Sequence, residues 1–181
     1  MGHKAFRNFP AVITLIFLSF MFSSPVHATA IKAVGVTGSG DFFNAARLLI
    51  NGYMPAQEST FDGPACVYWS DPEVSFVIDL GAVYHVDGIT LQADNNDNYQ
   101  LEISLDGQVF SPLLLLKSDL GEIDWGMETV STERSNSEYV KGLDFTPAAA
   151  RYIKVSAREG DLLYAVSEIR ISGKRVVSAV R

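Results

Sequence analysis

Apolar and polar residues alternate with a period of two along much of the chain. Val74, Phe76, Ile78 and Leu80 are separated by Ser75, Val77 and Asp79. Tyr99, Leu101 and Ile103 alternate with Gln100, Glu102 and Ser104; Ile153, Val155 and Ala157 alternate with Lys154 and Ser156. Ile169 and Ile171 alternate with Glu168, Arg170 and Ser172. Successive side chains of a strand face opposite ways, so each run predicts a strand with one core face. Val86–Leu91 is a further short strand candidate. Turn residues separate these runs. Asp79-Leu80-Gly81 reads as a strand exit, and Asp87-Gly88 as turn chemistry near the next strand. Asp106-Gly107, before Val109-Phe110, reads as a hairpin turn, and Gly160-Asp161 interrupts the last two runs. Many short strands at this spacing predict an all-β fold, an antiparallel β-sandwich of jelly-roll type. Only residues 42–50 read as helical, with Asp41 as a candidate cap. Residues 55–64 and 121–142 read as long loops, which in compact domains are often functional.

The first thirty residues break this pattern. Lys4 and Arg7 precede an apolar run from Ala11 to Phe22, and Ser23, Ser24 and Pro25 follow. Small residues at Val26-His27-Ala28 or Ala28-Thr29-Ala30 offer a cleavage site. That order predicts a secretory signal peptide over residues 1–30. The run is too short for a spanning helix, so no transmembrane segment is expected in the mature chain. The expected location is secreted or periplasmic. The rest is the usual size of one domain, taken as residues 31–173, with a short basic tail at 174–181. Cys66 is the one cysteine, so no internal disulfide is available and a buried inert thiol is expected. The net charge is −7, and losing Lys4 and Arg7 makes the remainder more acidic. Such a surface repels phosphate backbones, so nucleic acid is not an expected partner.

Chemistry-bearing residues gather in the loops. Asp94-Asn95-Asn96-Asp97-Asn98 lies between two strands. Asn and Asp build local turns, which accounts for some of this run; the same amides and carboxylates can bind sugar hydroxyls or a cation. An aromatic face can stack on a pyranose, with polar neighbours fixing its orientation. Trp125 and Tyr139 lie in the second long loop with Arg134 and Asn136 between them. Tyr53 and Tyr68 flank the first, and Tyr164 precedes the last strand. Core packing is the competing role for each ring, and alternation places Trp69 inside. Glu58, Asp62, Glu122, Asp124 and Glu128 could supply a glycosidase pair, though acidic residues also keep a chain soluble. Beyond the signal segment His85 is the lone histidine, which weakens Ser-His-Asp and multi-histidine chemistry. The expectation is no catalysis.

Six segments also occur in a telling order. They are Leu49-Ile50-Asn51-Gly52, Tyr68-Trp69, Phe76 to Gly81, Tyr99 to Ser104 with Asp106-Gly107, Arg151 to Val155, and Val166 to Gly173. Together they resemble the discoidin-type domain, the coagulation factor V/VIII C-type domain of the galactose-binding jelly-roll superfamily. The likeness spans nearly all of the chain beyond the signal segment and is closest to the bacterial carbohydrate-binding branch. It implies a secreted, non-catalytic module that binds a glycan or cell-surface polysaccharide through loops at one end of the sandwich. Asp94, Asn95, Asn96, Asp97, Trp125, Arg134 and Tyr164 are the expected ligand-binding residues. The alternative is a structural or adhesive protein that binds another protein or surface; a glycan-active hydrolase ranks third. The resemblance further implies a structural calcium ion held by loop carbonyls, Asn51 and Glu168. The family usually has Asp where this chain has Asn51, and the segment from there to Trp69 is longer than usual. The competing role for Glu168 is to cap a turn or to pair with a lysine or arginine.

Overall fold

A computed structural model describes residues 29–121, 123 and 125–177 of the chain. The expected signal segment lies outside the described residues up to position 28, and the last four tail positions do as well. The named strands of the described chain all pair antiparallel. Its strands are β1 (Thr29–Ile31), β2 (Gly35–Ser39), β3 (Val67–Trp69), β4 (Ser75–Asp94), β5 (Asn98–Ser104), β6 (Ser111–Leu116), β7 (Met127–Ser131), β8 (Ala148–Arg158) and β9 (Tyr164–Arg175). They pair in the order β1-β9-β4-β8-β5-β6, with β2 and β7 on β4 and β3 on β9.

β4 gives this sheet its sandwich form. Its first part, Ser75–Asp79, lies between β2 and β8. Its last part, Thr90–Asp94, is paired with β7, and β9 lies on its other side. Pairing with β8 is interrupted between Asp79 and Tyr84, where the strand passes from one half to the other. The two halves face each other: the Tyr99 hydroxyl of β5 donates to the Ala165 carbonyl of β9 at 2.9 Å, although those strands are not neighbours. Between them lies one core that includes Phe76, Ile78, Ile89, Leu91, Leu101, Ile153, Val155, Val166, Ile169 and Ile171. These are the apolar positions of the alternating runs, and each contributes about 1.5–3 kcal/mol by burial. Trp69 fills one end, with ring centroids 5.1 Å from Phe76 and 5.9 Å from Tyr164.

Five expectations need correction. Asp79-Leu80-Gly81 does not end a strand; β4 continues through it. Asp79 accepts the Gly81 N–H at 2.7 Å and the Arg151 guanidinium at 3.0 Å, so the turn is absorbed as an irregularity within one element. Asp87-Gly88 likewise sits at a register shift inside β4. A side chain at Gly88 would meet the Ser172 hydroxyl and Glu133. The helix over 42–50 shrinks to a 3-10 turn at Ala46–Ile50 whose N-cap is Ala45, not Asp41. Phe42 instead packs edge-on against Phe76. The loop over 121–142 contains β7, hidden from pattern reading because Met127 and Glu128 are both buried. The basic tail also begins later than expected, since Lys174 and Arg175 extend β9 opposite His85 and Tyr84.

The 53–66 segment covers the outer face of β4 and β9. Gln92 donates its amide to the Pro55 carbonyl at 3.0 Å. Cys66, Met127 and Ala165 form a second small core there, against Phe61 and Tyr68. Alternation turns Glu168 away from the main core, as expected, yet this cover leaves its residue only 3% exposed. Among the described residues no helix is long and apolar enough to cross a membrane.

Candidate functional site

Four connections converge beyond the Asp94 end of β4. They are the β4–β5 turn, the β8–β9 loop, the segment leading into β7, and the 53–66 cover. Side chains of the β4–β5 turn tie them together. Asn95 donates its backbone N–H to the Gly126 carbonyl at 3.1 Å and its amide to the Ile123 carbonyl at 2.7 Å. Asn96 donates to the Asp161 carboxylate at 3.1 Å, and Asn98 to Glu159 at 2.6 Å. Asp97 accepts the Asp161 N–H at 3.2 Å. The cover is fastened to β7 by Met127 N–H to the Ser59 carbonyl and Glu58 N–H to the Met127 carbonyl, both at 3.0 Å. Gly126, at φ +81, allows this approach; a side chain there would press on the Ser59 carbonyl at 2.8 Å.

Two carboxyls lie beneath this frame. Burial pushes Asp94 up to about 6, with Asp161 adding like charge. Burial pushes Asp97 up to about 7, with Asp94 and Asp161 adding to it. A cavity of about 30 Å³ is lined in part by Asp94, Asp97, Glu128, Leu91 and Leu120. It has room for a water molecule or two and none for a pyranose ring. At this end only exposed groups outside the frame could meet a ligand the size of a sugar. Trp125, 57% exposed, and Asn96 with its partner Asp161 provide an aromatic face and a hydrogen-bonding pair. A larger depression of about 540 Å³ lies on the outer face of β5 and β8 beside Glu102 and Lys154; none of its lining residues is aromatic.

The expected residues separate by role. Asn96 and Trp125 are exposed, Asn95 is half-buried and spends its amide on the Ile123 carbonyl, and Asp94 and Asp97 are buried. Arg134 lies on the connection beyond the opposite end of β7, 78% exposed at its side chain and paired with Asp144 at 3.1 Å. The Tyr139 hydroxyl donates to the same carboxylate, so Arg134 and Tyr139 form a separate cluster. Tyr164 is not a surface ring. It is fully buried beside Trp69, because alternation along β9 places it with Val166 in the core. Pattern reading missed Asp161, which looked only like a loop residue; its partners are some 65 residues away in sequence.

The calcium expectation is tested by the geometry around Glu168. Both of its carboxylate oxygens lie 3.1 Å from the Gly52 N–H, the donor they share. The Arg170 guanidinium lies 3.8 Å from one of them and donates to the Gly52 carbonyl at 3.3 Å. The Asn51 side-chain oxygen accepts the Tyr53 N–H at 2.8 Å. Among the described residues no three His, Cys, Asp or Glu side chains gather as metal ligands. Calcium takes six to eight oxygens. Here N–H groups and a guanidinium face the oxygens it would use, and this donor set does not fit the ion.

The strands and their loop frame define an all-β sandwich of jelly-roll type. A family model described as "F5/8 type C domain" matches residues 28–169, and the chain belongs to that family. No curated protein matches it in sequence. Among solved structures it is similar to a fucolectin from striped bass serum (Morone saxatilis), with TM-score 0.59 and 15% identity, over 83% of this chain and 50% of that one. It is similar to the CBM32 of AlyQ in complex with 4,5-unsaturated mannuronic acid, with TM-score 0.52 and 14% identity, over 79% of this chain and 97% of that one. A third likeness is to CpGH89 from Clostridium perfringens in complex with its substrate GlcNAc-alpha-1,4-galactose, with TM-score 0.53 and 19% identity. That alignment covers 84% of this chain but only 16% of the hydrolase. At these identities the likeness establishes the galactose-binding-like fold.

Proposed function

We propose that the protein is an exported, non-catalytic carbohydrate-binding module whose ligand rests on the outside of the loop frame. One observation carries this reading: the exposed indole of Trp125 lies in the segment that Asn95 holds at Ile123 and Gly126, on the same frame as the exposed Asn96–Asp161 pair. A stacking face with a fixed donor and acceptor is the minimum a sugar site needs. The CBM32 of AlyQ, which is in complex with a sugar acid, supports a glycan as the ligand class without fixing the charge of the sugar. Asp161 and Glu159, with Asp94 and Asp97 beneath, weigh against uronate or sulfated ligands and favour neutral ones. A shallow outer site predicts weak affinity, since few contacts are desolvated. The apolar segment and small residues before Thr29 support secretion to the periplasm or beyond.

The test is a glycan array probed with the wild-type protein, Trp125→Ala and Asn96→Ala. Neutral glycans should be retained by the wild type and lost by both variants, with melting temperatures unchanged. No retention of any glycan by the wild type returns the protein to the structural or adhesive reading.

A further inference from the structure

We propose that Arg170 takes the place of a metal cation between Glu168 and the first loop, so that the domain holds this loop with its own guanidinium and without calcium. This goes beyond glycan recognition and does not depend on it. Glu168 and Arg170 are two residues apart on β9, so they lie on the same face of the strand, Glu168 buried beneath the cover and Arg170 half exposed to solvent. Between them they grip one residue by both of its backbone polar groups. The Glu168 carboxylate accepts the Gly52 N–H at 3.1 Å, and Arg170 donates to the Gly52 carbonyl at 3.3 Å. The guanidinium also lies 3.8 Å from the carboxylate.

A carboxylate this deeply covered needs an opposite charge close by. A divalent ion and a guanidinium both supply one, but each demands a different arrangement of the loop. An ion needs carbonyl oxygens aimed at it. At Gly52 the N–H meets the carboxylate, and the carbonyl is already taken by Arg170. Seating calcium would require Arg170 to withdraw and the peptide to rotate. Asn51 fits the same division, because its side chain carries no charge and its oxygen closes a local turn with Tyr53. The planar fork of arginine reaches two acceptors at once, which an ammonium does less well. Arg170 is therefore a positioning residue. It sets the start of the cover, which farther along is fastened to Gln92 and Met127.

Thermal unfolding of the full chain in millimolar calcium chloride or in chelator tests this, with no glycan present. The wild type should melt at one temperature in both buffers, and calorimetric titration with calcium should show no heat of binding. Arg170→Ala should melt several degrees lower in chelator and recover part of the loss in calcium, because the vacated place now admits an ion. Adding Glu168→Gln to that variant should abolish the recovery, and Arg170→Lys should fall in between without a calcium response. Calcium stabilisation of the wild type overturns the proposal. So does an Arg170→Ala variant that melts like the wild type or ignores calcium. If Arg170→Ala does not fold, the wild-type titration and Arg170→Lys decide the matter.

Discussion

The molecule has two short connections rich in Asp, Asn and Gly, and they behave in opposite ways. The β5–β6 turn is self-contained. Asp106 accepts the N–H groups of Gln108 and Val109 at 2.8 and 3.0 Å and the Ser104 hydroxyl at 2.9 Å, all within three residues. These bonds to backbone N–H hold its carboxyl below the usual range. The β4–β5 turn looks outward. Asn96 and Asp97 reach the β8–β9 loop, 65 and 64 residues away, and Asn95 reaches Ile123. Burial holds the Asp94 and Asp97 carboxyls above the usual range. The residue types are alike, and the distance to their partners sets the difference: local bonds solvate a carboxylate, whereas a frame of loops buries it.

The sharpest way to break this contrast is a side chain at the glycine that packs against each turn: Gly160, which lies in the β8–β9 loop against Asp97 of the β4–β5 turn, and Gly107 within the β5–β6 turn. Gly160 sits at φ +97 with the Asp97 carboxylate where its Cβ would go, and Gly107 sits at φ +75 with the Tyr152 ring 3.3 Å away. Gly160→Ala should cost about 3–4 kcal/mol, combining left-handed strain with displacement of Asp97, and Gly107→Ala about 1–2 kcal/mol. Urea unfolding reads both. Equal losses would mean that the two turns are equally local.

The second largest effect is on pH dependence. Asp97 and Asp94 keep protons in the folded state that the unfolded chain releases near pH 4. Stability should therefore fall as pH rises from about 4 to about 7, where the Asp97 carboxyl loses its proton. Asp97→Asn, neutral throughout, should remove about 2–3 kcal/mol of that decline, which is roughly 1.4 kcal/mol per pH unit reduced by local relaxation and screening of the charge. Asp106→Asn should leave this window untouched. The Asp106 carboxyl is depressed, so its contribution is present above pH 4 and disappears on acidification. Melting temperature from pH 4 to 8 separates the two; a wild type with no decline refutes the buried pair.

Smaller effects sharpen the picture. Asn95→Ala removes one side-chain bond to the segment carrying Trp125 and should cost about 1 kcal/mol. Amide hydrogen exchange at 125–127 should accelerate with it, while Gln108→Ala should change nothing measurable. Trp125→Ala should be the mildest for stability, within about 0.5 kcal/mol, because most of its ring is in water. A large loss on unfolding would place Trp125 among the packed residues and weaken its role as a platform.

Much of the fold was legible because alternation depends only on backbone geometry. β5, β8, the core strand of β9 and both parts of β4 follow directly from it, as does the burial of Trp69. What was illegible depended on cover. Met127–Ser131 shows no clean alternation because the 57–59 backbone and Cys66 bury its second face. Asp79-Leu80-Gly81 carries turn chemistry, yet β2 and β8 hold the strand on course past it. At the site, the Asp94–Asn98 turn stood out in the sequence, but its division of labour did not. Which carboxyl is buried, which amide is spent and that Asp161 is its partner all follow from contacts across the fold. Arg134 was misplaced because neighbours in sequence do not reveal which end of a strand a loop leaves from, whereas Tyr164 belongs to the core by the alternation that also buries Val166.

The double membership of β4 also sets an order of events for the chain. Its last part pairs with β9, whose residues lie some 80 positions later, so that half of the sandwich lacks its central partner until the final strand arrives. Contacts of such long sequence separation are slow to form. The part of the sandwich built on β9 is therefore expected to close last, after β2, β7 and β8 have already become available to β4.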